Sequence, residues 1–123
     1  MYMTTQEVAN RYHELMSQRK FIEVQDTLYH EDVICQEPEK AALMGMAIIT
    51  NGREAVKAKG NARRAGMETL HSYHCGTPIV AGEFFSVVLK QEVTFKGKPR
   101  ISIEEIGVFH VIDGKVVKEQ FFF

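Results

Sequence analysis

The feature that most constrains this chain is its C-terminal stretch, two β-rich runs joined by the dipeptide Asp113-Gly114. Asp-Gly between such runs favours a tight hairpin, because glycine accepts the positive φ that the turn requires. The stretch ends on three phenylalanines, 121–123, which we expect to be buried. A sheet that closes the chain after a helical start predicts a cup of helices on a sheet, a shape that holds ligands.

Length and charge narrow the class of protein. The 123 residues fit a single domain spanning 1–123, and this is enough chain to bury one core. A net charge of −1 gives no reason to expect a nucleic-acid partner. We find no signal peptide and no apolar run near the ~20 residues that cross a bilayer, so a soluble cytoplasmic protein without membrane contact is expected. Cys35 and Cys75 are expected as buried, reduced thiols, although a bridge between them stays open.

The N-terminal part of the chain has the pattern of two helices. Thr4 followed by Glu7 is a capping box, and it precedes apolar residues at helical spacing that predict a helix over 5–18: Val8, Tyr12, Leu15 and Met16. A second, shorter helix is predicted after a break near 18–20, from Phe21, Val24 and Leu28. Residues 32–38 are expected to form a short strand that proline stops.

Residues 39–51 are apolar without a clear period, and we expect a partly helical flap or an irregular cover. Methionines at 44 and 46 are expected in the core, although methionine also suits a lid over an apolar ligand. The pattern leaves both possibilities open.

A third helix is predicted to begin with a second capping box, Asn51 and Glu54, and to run to about Ala65. Gly66 is a plausible residue just after its end. The helix is basic, and a solvated face is the expected place for Arg53, Lys57, Lys59, Arg63 and Arg64.

The second half of the chain has the sequence pattern of β-strands. Short turns separate four long β-rich runs, Leu70–Val80, Glu83–Phe95, Arg100–Ile112 and Val116–Phe123. Hairpin-length connections make these strands antiparallel. Helices segregated from an antiparallel sheet give an α+β fold, a strongly curved sheet wrapped around the N-terminal helices.

Both faces of the third long strand are largely apolar. Alternation assigns one face to Ile101, Ile103, Glu105, Gly107, Phe109 and Val111, and the other to the residues between them. One face should meet the helices. The other needs a cover, and the simplest cover is a second copy, so we expect a homodimer through the outer sheet face.

Three polar side chains fall on otherwise apolar, concave strand faces: Gln91, Glu105 and Glu119. Burying them unpaired is costly, so each should bind another side chain, water or a ligand. A polar network within the sheet is the alternative, and we favour it for Glu119. Tyr73 is a further candidate to line the pocket, with ordinary sheet packing as its alternative.

Three potential metal ligands lie close together in the sequence: His71, His74 and Cys75. Alternation directs His71 and Cys75 to one face and His74 to the other, and no fourth ligand is suitably spaced. We therefore expect no metal. Because no glycine-rich phosphate or dinucleotide motif is present, we also expect no cofactor.

The chain resembles ketosteroid isomerase and its relatives in the nuclear transport factor 2-like superfamily. The similarity lies in the opening Val8–Tyr12, Leu28–Val33 and Glu37-Pro38, in the third-helix start Asn51–Val56, and in the final hairpin Phe109–Val117. The ending Glu119–Phe122 is similar to the SnoaL-like branch. The resemblance implies a conical α+β fold, but this fold hosts isomerases, cyclases, dehydratases, hydrolases and binding modules.

The resemblance also implies site residues. Tyr12 stands where the isomerases have an oxyanion-binding tyrosine, and Glu37 stands where they have their carboxylate base. Gly107 stands where they have a protonated aspartic acid. Glu105 lies two residues earlier on the same face, displaced by about 7 Å along the strand.

Two functions follow as expectations. The first is an apolar pocket that binds a small hydrophobic molecule, with ligand contacts from Gln91, Glu119, Phe109, Phe121 and Tyr73. The second is a cofactor-free isomerase, cyclase or dehydratase acting next to a carbonyl, with Glu37 as base, Tyr12 as oxyanion donor and Glu105 as auxiliary acid. A third possibility is a structural dimer module whose pocket is filled by its own side chains, Phe121, Phe123 and Met44.

Overall fold

A computed structural model describes all residues, 1–123, and has three helices and seven strands. The helices are α1 (Thr5–Ser17), α2 (Phe21–Leu28) and α3 (Arg53–Ala65), with a short 3-10 helix at Glu39–Met44. The strands are β1 (Tyr29–Gln36), β2 (Ile49–Asn51), β3 (Met67–Cys75), β4 (Ile79–Ala81), β5 (Phe84–Phe95), β6 (Arg100–Ile112) and β7 (Lys115–Phe122). No helix is both long enough and apolar enough to span a bilayer.

One curved, unclosed sheet carries all seven strands, in the order β2-β1-β7-β6-β5-β3, with β4 paired to the end of β5. The pairs β3–β5, β5–β6 and β6–β7 are antiparallel, while β1 runs parallel to β7. The helices contact one side of this sheet. The predicted α+β class, with a strongly curved sheet around the helices, is confirmed.

The predicted capping box is found at the start of α1 but not at the start of α3. Thr4 and Glu7 form the predicted capping box, each side chain bonded to the backbone N–H of the other residue. At α3 the predicted capping box of Asn51 and Glu54 is wrong, because Gly52 occupies the cap position with φ +93° and no side chain caps the helix. Gly66 ends this helix in a right-handed conformation.

The strands match the prediction with three corrections, one of which is β2, a strand inside the stretch 39–51 that was expected to be a flap or an irregular cover. The first long run is two strands, because Pro78 lacks the N–H that a continuous ladder needs and β3 ends at Cys75. β1 begins at Tyr29, three residues before the predicted start. The hairpin turn is confirmed, since Asp113 (φ +49°) and Gly114 (φ +74°) both have positive φ.

The core lies between α1 and the concave face of the sheet. Tyr12 packs against Phe109 and Phe85, with ring centroids 4.6 and 5.5 Å away, and the two phenylalanine rings stack at 4.7 Å. All three side chains are buried, and burying each ring stabilises the fold by roughly 2–3 kcal/mol. This aromatic layer fixes α1 on the sheet.

The outer face of the sheet carries an apolar patch that no other part of the chain covers. Five of its large side chains are between 41% and 48% exposed: Phe84, Val88, Ile106, Ile112 and Phe122. Within the single chain the final phenylalanines are not all buried, because Phe122 is exposed and Phe121 and Phe123 are partly buried. Met44 is also exposed (59%) on the 3-10 helix, so its predicted place in the core is wrong, and it fills no pocket.

Candidate functional site

The concave face carries four polar side chains within an apolar surface. Glu37, Gln91 and Glu119 are buried, and Glu105 is partly exposed. Gln91 and Glu105 come from β5 and β6, Glu119 comes from β7, and Glu37 directly follows β1. The predicted placement of Gln91, Glu105 and Glu119 on this face is confirmed.

Glu37 forms an ion pair with Lys59 of α3, and the two charged atoms lie 2.9 Å apart. Glu37 is buried, so it is not a solvated carboxylate at a strand end. The expectation of a fully solvated basic helix face is wrong at Lys59. Val56, Lys59 and Arg63 are spaced three and four residues apart, so one stripe of α3 faces the sheet.

Cys35 extends this ion pair toward the centre of the sheet. Its Sγ lies 3.8 Å from Oε1 of Glu37 and 3.7 Å from Nζ of Lys59. Cys35 also sits opposite Glu119 in the β1–β7 pairing. Burial raises the pKa of the Cys35 thiol far above its ordinary value, so the group is an inert, neutral thiol. Cys35 and Cys75 are both free and buried, as expected.

Glu119 accepts a 2.5 Å hydrogen bond from the hydroxyl of Tyr29. Burial raises the pKa of Glu119 to about 7, while the hydrogen bonds from Tyr29 and Cys35 act in the opposite direction. This pairing supports the structural network that the sequence favoured for Glu119. Tyr29 was missed because the predicted strand began after it.

Among the polar groups of the concave face, Glu105 is a carboxyl that has no ion-pair partner. It lies opposite Leu89 of β5 and has no basic nitrogen within 4.0 Å. Burial raises its pKa to about 7, with the charge of Arg63 opposing that shift and the charge of Glu37 adding to it. Glu105 therefore exchanges a proton near neutral pH.

Burial raises the pKa of the Tyr12 hydroxyl well above the ordinary value, and the charge of Glu105 makes one of the smaller contributions. The hydroxyl therefore stays protonated and can donate a hydrogen bond. At Gly107, the position of the aspartic acid in the isomerases, there is no room for a side chain. A Cβ atom at Gly107 would lie 2.8 Å from the Phe109 ring and 3.2 Å from the Phe121 ring.

Three aromatic side chains were predicted to contact a ligand. Phe109 is fully buried beneath Tyr12, and Phe121 meets it edge-on at 6.2 Å between ring centroids. Tyr73 is half-buried on the concave side and packs edge-on against Phe21 at 5.0 Å. Each of the three rings packs against another aromatic side chain of the chain itself. Their contact with a ligand stays a prediction.

The histidines of β3 do not converge. The ladder shifts register between Leu70 and Ser72, so His71 does not share a face with Cys75 as alternation predicted. His71 is exposed and bonds the Thr94 hydroxyl at 2.7 Å, while His74 pairs opposite Lys90. No group of three or more His, Cys, Asp or Glu side chains could hold a metal ion.

Two concavities on the surface lie away from these carboxyls. One is lined by residues at the start of α2, including Phe21, together with Arg64. The other lies on the outer face of the sheet and is lined by Phe84, Val108, His110, Lys118 and Gln120. Neither includes Glu105, so the pocket expected on the concave face stays a prediction.

Comparison with known proteins identifies the family. A protein of Mesorhizobium loti provisionally assigned as a SnoaL-like polyketide cyclase is 26% identical, with a TM-score of 0.90 over 98% of this chain and 100% of that one. A provisionally assigned isomerase from Bacillus subtilis is 15% identical (TM-score 0.73; 97% and 88% covered). A protein of Catenulispora acidiphila with a ketosteroid isomerase-like fold, crystallised with trimethylamine, is 16% identical (TM-score 0.68; 98% and 87% covered).

A search among curated proteins gave no match. The sequence family described as the SnoaL-like domain, in contrast, matches residues 3–123. This match agrees with the resemblance seen in the sequence and spans nearly the whole chain. The chain therefore belongs to the SnoaL-like domain family.

Proposed function

We propose that the chain binds a small, largely apolar molecule between α3 and the open end of the concave sheet face. The observation that carries this proposal is Glu105, a partly exposed carboxyl without an ion-pair partner on an apolar surface. Beyond it the same face continues with Ile103, Ile101 (42% exposed) and Phe95 of the neighbouring strand. A polar group beside accessible apolar surface is the usual make-up of a ligand site.

A second candidate is proton-transfer catalysis without a cofactor, such as isomerisation, cyclisation or dehydration next to a carbonyl. It is favoured by the pKa of Glu105, about 7, which leaves both protonation states populated at neutral pH. Glu105 is then the proton carrier and the Tyr12 hydroxyl the donor to the oxyanion. Glu37 is less suited as the base because Lys59 already binds it. The provisional cyclase and isomerase names of similar structures agree with this class.

We also propose that a second copy of the chain covers the outer sheet face. The support is the set of large apolar side chains left exposed there. An exposed patch of this kind marks an interaction surface, and a closed two-fold dimer is the commonest solution.

Hydrogen–deuterium exchange into a simple ketone tests binding and chemistry together. The probe is 2-tetralone in D₂O, whose protons next to the carbonyl are followed by NMR while ligand titration reports binding. If the chain is an enzyme, it accelerates exchange, and Glu105→Gln abolishes the acceleration. Glu104→Gln is the matched control, because Glu104 is the neighbouring carboxylate on the outer face, and it should have no effect.

Binding without accelerated exchange supports the binding protein and contradicts the enzyme. If Glu37→Gln, and not Glu105→Gln, abolishes exchange, the assignment of the proton carrier is wrong. If neither 2-tetralone nor a panel of similar apolar ketones and carboxylic acids binds at about 1 mM, the proposed site itself is contradicted.

A further inference from the structure

We infer that the ligand of this site is an apolar organic acid whose anionic group binds Arg63. This inference rests on the proposed function, because it assigns the chemical class of the ligand to the same concave surface. It is carried by the position of Arg63, by the pairing of the charges around it and by the apolar side chains next to it.

Arg63 belongs to the stripe of α3 that faces the sheet. It follows Lys59 by one helical turn, and Lys59 itself contacts Glu37. The guanidinium of Arg63 lies 5.9 Å from the ring centroid of Phe95, which is on the concave face of β5. The cation is therefore half-buried at the open end of the concave surface, beside the apolar strand ends.

The charges near Arg63 leave it without an anion. Glu37 lies 2.9 Å from Lys59, so these two charges neutralise each other. No carboxylate lies within 4.0 Å of the Arg63 guanidinium. Glu105 is the remaining carboxyl facing this region, and it is half-protonated near neutral pH because burial raises its pKa to about 7. The region therefore has a net positive charge.

The chemistry of the surface selects the ligand. A guanidinium binds a carboxylate with two parallel hydrogen bonds and stacks on planar groups. Phe95, Ile101 and Ile103 offer an apolar surface for the body of the ligand, next to this cation. A flat apolar acid matches both features, whereas a cation would be repelled.

Binding of the anion should be coupled to protonation of Glu105. The charged and titratable groups that face this carboxyl are Arg63, Lys59, Glu37, Tyr12 and Tyr73. A protonated Glu105 can donate a hydrogen bond to the ligand anion, whereas an ionised one repels it. Affinity for the acid should therefore fall as pH rises through about 7.

Calorimetric titration of the full chain with three matched probes tests the inference. The probes share a naphthalene body and differ in charge: 2-naphthoate, 2-acetylnaphthalene and 2-naphthylmethylammonium. We expect 2-naphthoate to bind about tenfold more tightly than the ketone at pH 6, and the ammonium to bind weakest. Arg63→Gln should remove this preference and leave ketone affinity within about threefold.

Arg64→Gln is the control. Arg64 is the adjacent cation, but its guanidinium lies 5.5 Å from the ring of Phe21, at the concavity at the start of α2 and not at Phe95. The Arg64→Gln variant should bind 2-naphthoate as the unchanged protein does. In Glu105→Gln, the loss of affinity between pH 6 and pH 8.5 should disappear. If Arg63→Gln does not fold, Arg63→Lys keeps the charge without the planar fork and should lose about threefold in 2-naphthoate affinity.

Several results would overturn the inference. Equal affinity for 2-naphthoate and the ketone, or an unchanged preference in Arg63→Gln, refutes it while the proposed ligand site stands. Loss of the preference in Arg64→Gln instead assigns the anion to the concavity at the start of α2. If none of the three probes binds, the inference and the proposed function are both contradicted.

Discussion

The ammonium of Lys59 lies 2.9 Å from Oε1 of Glu37 and joins α3 to the end of β1 on the concave side of the sheet. Glu37 is 7% exposed, so the carboxylate depends on this single cation for its compensation. A buried charge that loses its partner is far more costly than the pair itself is stabilising.

Lys59→Met should therefore lower the free energy of unfolding by about 2–4 kcal/mol, because it leaves Glu37 buried and unpaired. Urea denaturation measures the loss. The double variant Lys59→Met with Glu37→Gln should recover at least half of it, since no unpaired charge remains. A single variant as stable as the original chain would show that Glu37 finds solvent in the folded protein.

The raised pKa of Glu119 predicts a pH dependence of stability with a definite sign. Between the unfolded value of 4.5 and the folded value of about 7, the folded chain keeps a proton that the unfolded chain has lost. The contribution of this group to the free energy of unfolding therefore falls as pH rises, by up to ~1.4 kcal/mol per pH unit. Burial of the ionised carboxylate is the physical reason.

Glu119→Gln should remove this dependence and keep an acceptor for Tyr29. Urea denaturation at pH 5, 6, 7 and 8 should give a difference, original chain minus variant, that decreases with pH. Glu68→Gln, at an exposed carboxylate on β3, should give a flat difference. A difference for Glu119→Gln that increases with pH would contradict the assigned direction.

Gly107→Ala should cost about 1–3 kcal/mol of stability, because the added methyl meets the rings of Phe109 and Phe121 in the packed core. Gly60→Ala is a useful contrast. Its Cβ would meet only the flexible end of Arg64 in α3, so the change should be neutral or stabilising. Thermal unfolding monitored by circular dichroism measures both. Equal effects would mean that the aromatic layer readily moves aside.

The proposed dimer predicts a separable effect on assembly. Ile106→Glu puts a charge in the middle of the exposed outer face and should convert a dimer into a folded monomer. Light scattering coupled to size-exclusion chromatography reads the mass. Leu43→Glu makes the same exchange at a 90% exposed side chain off the sheet and should leave the mass unchanged. A monomeric original chain at micromolar concentration would refute the proposal.

Much of the fold could be predicted because it is encoded locally. The Thr4–Glu7 capping box, the helical spacing after it and the Asp113-Gly114 turn are short-range signals that the structure confirms. Alternation also predicted correctly that Gln91 and Glu119 lie on the concave face. It failed at His71, because a register shift in β3 is invisible in the pattern.

The partners of the site residues could not be predicted, because they depend on how distant elements meet. Lys59 looks like one more cation of a basic helix, and only its spacing from Val56 points to the buried stripe. Tyr29 donates a hydrogen bond to Glu119 because β1 pairs in parallel with β7. Turn signals in the sequence predict hairpins, and they do not predict a parallel pairing of this kind. Such long-range pairings determine which carboxyl is paired and which stays free.

The last strand, β7, lies between β1 and β6 near the middle of the sheet. During synthesis, β1 has emerged long before its neighbour exists, so its inner edge has no partner until residues 115–122 leave the ribosome. Until then, β1 and β6 both present open edges on which wrong pairing can begin. The Glu119–Tyr29 bond forms only when this insertion is complete, and nascent chains stopped before residue 115 should be the form that chaperones hold.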